Sequence, residues 1–104
     1  MLRKTFESEI KQVKDDVLML GSMVEQALVD AVETLKKRDI KAAEKIFQED
    51  RAINGKRFEI ENKLMVLIAT QQPMAHDLRL LASTMEIISE LERMGDYAKG
   101  IATI

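Results

Sequence analysis

The chain has 104 residues, 46% of them apolar and 33% charged, and a net charge of −2. That mixture suits a folded helical protein and excludes a disordered one, and the acidic balance argues against nucleic acid as a partner. Cysteine is absent, which excludes disulfides, zinc fingers, iron–sulfur clusters and a cysteine nucleophile. The opening MLRKTFESEI has no apolar core of signal-peptide length, and no run approaches about 18 apolar residues, so a cytoplasmic location is expected.

One proline, Pro73, and four glycines leave few breakpoints. Thr5 is the expected N-cap of a first helix over about 5–37, with Glu7 and Glu9 near its positive end. Phe6, Ile10, Val13, Val17, Leu20, Val24, Ala27, Ala31 and Leu35 recur at spacings of three and four and form one seam. Lys36, Lys37 and Arg38 fall in the last turn, where cations are favoured. Asp39 then suits the N-cap of a second helix, about 40–70. Its seam reads Ile46, Asp50, Ile53, Arg57, Ile60, Leu64 and Leu67, beside a row of Phe47, Asn54, Phe58, Glu61, Met65 and Ile68. Pro73 disfavours helical backbone at the residue before it and fits the first position of a third helix, about 73–103. That seam reads Leu78, Leu81, Met85, Ile88, Glu92, Gly95, Ala98, Ile101 and Ala102. Three helices of about 45 Å with short connections predict an all-α, up-down-up antiparallel three-helix bundle occupying 1–104 as one domain. No helix-ending signal precedes Ile104, so either the third helix ends there or the chain is a fragment of a longer protein.

Polar residues inside an apolar seam are the informative departures. Asp50 and Asn54 lie one turn apart on the second helix, and Glu92 and Asp96 one turn apart on the third. On facing antiparallel helices the two pairs bring three carboxylates and an amide oxygen toward one point. Carboxylates so placed repel unless a cation neutralises them, and hard cations such as Mg, Ca, Mn and Fe suit an oxygen shell. The competing reading is a solvated face, or pairing with Arg57 and Arg93. Gly95 admits two explanations, approach of a ligand or close helix packing; for Gly21 and Gly55 packing is expected. His76, the single histidine, is expected to be exposed and is a poor ligand by itself. No Glu-x-x-His pair, Gly-rich phosphate loop or nucleophile–histidine–acid set is present, so catalysis is not expected. The seven methionines read as core filler, with Met19 and Met23 as candidate groove lining.

The run from Ala69 to Ala102 resembles the PhoU family of phosphate-uptake regulators. The resemblance is carried by Gln72-Pro73, Ala75, Asp77-Leu78-Arg79, Glu92-Arg93-Met94-Gly95-Asp96 and Ile101-Ala102, with Asp50, Ile53-Asn54 and Ile60-Glu61 upstream. It implies an all-α fold of two three-helix repeats whose E(D)-x-x-x-D motifs bind metal ions on the surface. Carried over, Glu92 and Asp96 are the motif pair and Asp50 with Asn54 its weaker partner, with iron or zinc expected and Mn or Mg as alternatives. The resemblance further implies negative regulation of phosphate uptake and of phosphate-starvation signalling. The implied partners are a phosphate ABC transporter ATPase and a sensor histidine kinase, through which the protein associates peripherally with the membrane.

Three departures stand out. The chain spans one repeat rather than two, so a homodimer is expected to restore the pair. Gly100 replaces an asparagine that often precedes Ile-Ala, and Asn54 is a weaker ligand than a carboxylate. Asp77 and Arg79 match the family string, but a helix start and an ion pair explain them as well. The expected function is therefore a metal-binding regulatory adaptor of phosphate transport. The alternative is a structural dimerisation or scaffold bundle without a functional metal.

Overall fold

Two consecutive residues, Arg38 and Asp39, turn the chain at its first corner by their backbone and capping chemistry. Arg38 adopts a left-handed conformation, φ 51°, just after the first helix ends. This lets the Asp39 amide donate back to the Thr34 carbonyl at 3.4 Å, a helix-closing bond of the Schellman type. The Asp39 carboxylate then accepts from the amides of Lys41 and Ala42 at 3.0 and 3.3 Å, capping the second helix as expected. The computed structural model describes residues 2–71 and 75–103, with side chains over 5–70 and 77–103. Its elements are α1 (Leu2–Lys37), α2 (Ile40–Gln71) and α3 (Ala75–Ala102), and no strand occurs among the described residues. Each helix packs on the other two, giving an all-α antiparallel bundle of 54 × 18 × 16 Å.

The core follows the three seams. Phe6, Ile10, Val13, Leu20, Val24, Ala27 and Ala31 of α1 are buried, as are Ile46, Ile53, Ile60, Leu64 and Leu67 of α2 and Leu81, Ile88 and Ala98 of α3. Four points depart from the sequence expectation. The helix α1 begins at Leu2, so Thr5 lies inside it and Glu7 in its second turn. Leucine, arginine and lysine are good helix formers, and they extend the helix past the threonine. Near the end of α1 the buried residue is Thr34 and not Leu35, which is exposed. Position 34 lies four heptads after Phe6 and continues the spacings of four and three through Ala27 and Ala31, whereas Leu35 steps off that line. Thr34 tolerates burial because its hydroxyl donates to the Asp30 carbonyl at 2.8 Å. On α3 the seam opens at Asp77, nearly fully buried, and Leu78 faces outward. Asp77 lies one turn before Leu81 and has its own partner contacts. Finally, a Cβ placed on Gly21 or Gly55 meets nothing within 4 Å, so packing inside the chain does not explain either glycine. Pro73 and the His76 side chain lie outside the described residues.

Polar contacts fix how α1 sits on α2. Asp16 of α1 accepts from Lys63 at 2.7 Å and from Lys56 at 3.2 Å, in a partly buried cluster. Burial by itself pushes the Asp16 carboxyl up, but the two lysines outweigh it and hold it below the ordinary carboxylate range. Lys63 is raised correspondingly, chiefly by its bond to Asp16. Half the helix away, Asp30 of α1 meets Glu49 of α2. Burial raises Glu49, and the neighbouring Asp30 raises it further, while hydrogen bonding from Glu49 lowers Asp30. Asp30 Oδ2 and Glu49 Oε2 are shut off from solvent and have no hydrogen-bond partner unless one of the two carboxyls carries a proton.

Two predictions follow from these contacts. Replacing Arg38 by glycine removes the penalty of a left-handed β-carbon and should raise stability by about 1 kcal/mol, read by thermal unfolding. Glu49 has a raised pKa in the folded state, so its stabilising contribution is complete at low pH and is lost as the pH climbs through that value. Glu49→Gln keeps a donor to Asp30 without the charge. It should therefore add about 0.5–1 kcal/mol at neutral pH and nothing near pH 4, read by denaturant titrations at both.

Candidate functional site

The helices α2 and α3 run antiparallel, and two ionic contacts tie them in one register. The Arg57 guanidinium donates through Nη1 to Glu92 Oε2. Two turns away, Lys99 Nζ stands 3.6 Å from Asp50 Oδ2. Between these contacts Gly95 is buried against Ile53; a Cβ built on it lies 3.7 Å from Ile53 Cγ2, an ordinary packing distance. The space beside Gly95 therefore belongs to the core side of α3 and not to an outward-facing ligand.

All four residues singled out from the sequence lie along this seam, in different states. Asp50 is largely buried, 9% exposed at its side chain, and accepts from Asn54 Nδ2 at 3.3 Å besides its contact with Lys99. The pair Asp50–Asn54 thus forms as an i, i+4 contact. Glu92 is about one-third exposed and committed to Arg57. Asp96, one turn on, is exposed and makes no ion pair among the described residues. Among the described residues, no three histidine, aspartate or glutamate side chains gather closely enough to hold a metal ion. The donor chemistry is that of a hard-cation site, but as placed Glu92 and Asp50 are paired with protein cations and Asp96 is not. Arg93 pairs with Glu90 at 3.5 Å and leaves Glu92 to Arg57.

Arg57 is the organising side chain. Its Nη1 also stands 3.7 Å from Glu61, and its guanidinium carbon lies 4.4 Å from the centroid of the Phe58 ring. Its Nε is buried with no acceptor. A basic residue inside an apolar seam was the available signal, since such a position carries a charge only when acids neighbour it. Lys99, on α3, is not marked by any break in the apolar seam. Its spacing of seven from Glu92 puts it on the same face and is the clue that locates it. Phe58, 60% exposed beneath Arg57, adds an aromatic surface to this charged face.

Comparison with known proteins places this arrangement. The family model for the PhoU domain matches residues 17–104. A phosphate-specific transport system accessory protein PhoU homolog of Clostridium acetobutylicum is 45% identical over 98% of this chain and 47% of its own. The accessory protein PhoU of Escherichia coli K12 is 35% identical over 92% of this chain and 40% of its own. The crystal structure of PhoU from Pseudomonas aeruginosa superposes with a TM-score of 0.88 at 34% identity, covering 94% of this chain and 47% of that one. The chain thus spans less than half the length of these relatives, and the matches cover nearly the whole of it. It belongs to the PhoU family.

Proposed function

We propose that the chain acts as a regulatory adaptor that restrains phosphate uptake and phosphate-starvation signalling through protein contacts. The observation that carries this reading is its likeness, over nearly its whole length, to accessory proteins of phosphate-specific transport systems. The proposed partners are the ATPase of a phosphate ABC transporter, a sensor histidine kinase and a second copy of this chain. No helix among the described residues is long and apolar enough to cross a membrane. The proposal therefore puts the chain at the cytoplasmic face, held there by its partners. No catalytic step forms part of it.

Within this reading the Arg57–Phe58 surface is the contact point. An arginine stacked on an exposed aromatic ring, with charges around it, has the character of an interface anchor. Phe58→Ala should weaken binding to the transporter ATPase or the kinase by about tenfold or more, measured by calorimetry. Helicity should be unchanged, because the ring is largely in solvent. Undiminished binding to both partners sinks the assignment.

Metal binding is a second reading, favoured by one observation: Asp96 is an unpaired, exposed carboxylate one turn from Glu92 on the seam that holds Asp50 and Asn54. Iron or zinc held there supplies positive charge now given by Arg57 and Lys99. Elemental analysis of protein purified without chelator is expected to find metal that Glu92→Ala/Asp96→Ala removes, and Arg57→Gln is expected to increase uptake by removing the competing cation. Absence of metal in every sample, with partner binding intact in the double variant, leaves the scaffold alternative.

A further inference from the structure

The two flanks of this bundle differ in chemistry. On α1 the side chains that reach α2 are Asp16 and Asp30, and on α3 they are Glu92 and Lys99. The opposite flanks of α1 and α3 therefore border the α1–α3 groove. The two helices run parallel along it. Ile10 lies beside Asp77 and Leu80 at one end, and Thr34 and Leu35 beside Ile101 and Ala102 at the other.

The outer sides of α1 and α3 expose several large apolar residues, interspersed with charged ones such as Lys14 and Glu25. Leu18, Val29 and Val32 of α1 are 71, 53 and 43% exposed, and Ile87 and Met94 of α3 are 51 and 41% exposed. Single exposed apolar residues are ordinary, so what distinguishes this flank is the pattern along α1. Gly21 lies in the middle of it, half-buried, with open space where its side chain is missing. A helix-interior glycine costs about 1 kcal/mol against alanine, and no contact within the chain offsets that.

The α1 stripe is its own complement. Lys14, Leu18, Gly21 and Glu25 follow at spacings of four, three and four, which puts them in one line along the helix. When the line is reversed about a point between Met19 and Leu20, Leu18 falls opposite the partner's Gly21, and Lys14 opposite the partner's Glu25. A large side chain meets a gap, and a cation meets an anion. Lys14 and Glu25 make no ion pair among the described residues. A face of 54 × 18 Å offers about 1,000 Å², and a stable interface takes roughly 800 Å² from each side. A two-fold pairing also meets the rule that one patch must serve both partners.

We infer that the α1–α3 face is the interface between two copies of this chain, paired antiparallel with Leu18 seated over the partner's Gly21. This rests on the homodimer in the proposed function and adds the face and the register.

Sedimentation equilibrium of the chain over a wide concentration range tests it. The wild type is expected to dimerise. Lys14→Glu sets acid against acid and should raise the dimer Kd by about tenfold or more, and adding Glu25→Lys should restore it. Gly21→Gln should weaken the dimer similarly while raising the monomer's melting temperature, because the side chain meets open space inside the chain and favours helix. Circular dichroism checks that each variant stays helical. A wild-type chain monomeric at every concentration overturns both the interface and the homodimer, including the case in which this face captures the transporter ATPase instead. A dimer indifferent to Lys14→Glu and Gly21→Gln overturns this face alone and leaves the homodimer standing. A charge reversal that fails to restore pairing overturns the register.

Discussion

Everything in this bundle depends on one unbroken apolar line along α1. From Phe6 to Ala31 that line carries no charged side chain in the core, and α2 and α3 both lay their own seams against it. Removing apolar surface from water is the force that holds helices of this length together, since their intrinsic propensity contributes little alone. The line has no direction, however. Leucine against isoleucine packs nearly as well one turn up or down.

Register comes from the polar residues at the edges of the core. Asp16 between two lysines places α1 on α2, and Arg57 with Glu92 places α2 on α3. A partly buried charge left without its partner loses hydration and gains nothing, so a shifted register is costly even when the apolar seams still fit. The same contacts set what a metal on the α2–α3 seam has to displace. Glu92 and Asp50 already hold protein cations, and a metal must compete with groups whose placement the fold depends on.

The bundle thereby acquires two unlike surfaces. The α2–α3 face is charged, with Arg57 and Phe58 at its centre and most of its carboxylates paired with cations. The α1–α3 face mixes exposed apolar residues with Lys14 and Glu25 and keeps an unfilled gap at Gly21. One chain can therefore present a specific polar contact to one partner and an apolar face to another without the two competing. This division suits an adaptor, and it follows from which flank of each helix received its charges.

Helix number, helix order, the capping role of Asp39 and most of the core were legible in the sequence, because spacings of three and four survive in any context. The family was legible too, since Asp77-Leu78-Arg79 and Glu92-Arg93-Met94-Gly95-Asp96 are local strings. Spacing also put Asp50, Asn54, Glu92 and Asp96 on facing seams. It did not decide whether they converge on an ion or turn to neighbouring cations. That depends on side-chain choices among groups far apart in the chain, and Arg57 and Lys99 took two of the carboxylates. Thr34 and not Leu35 is buried because position 34 keeps the heptad line that starts at Phe6, and choosing the apolar residue at that turn steps off it. Local periodicity determined the elements. Only the packed bundle decided which charges meet and which apolar flank is left for a partner, because both depend on how the three helices are rotated against one another.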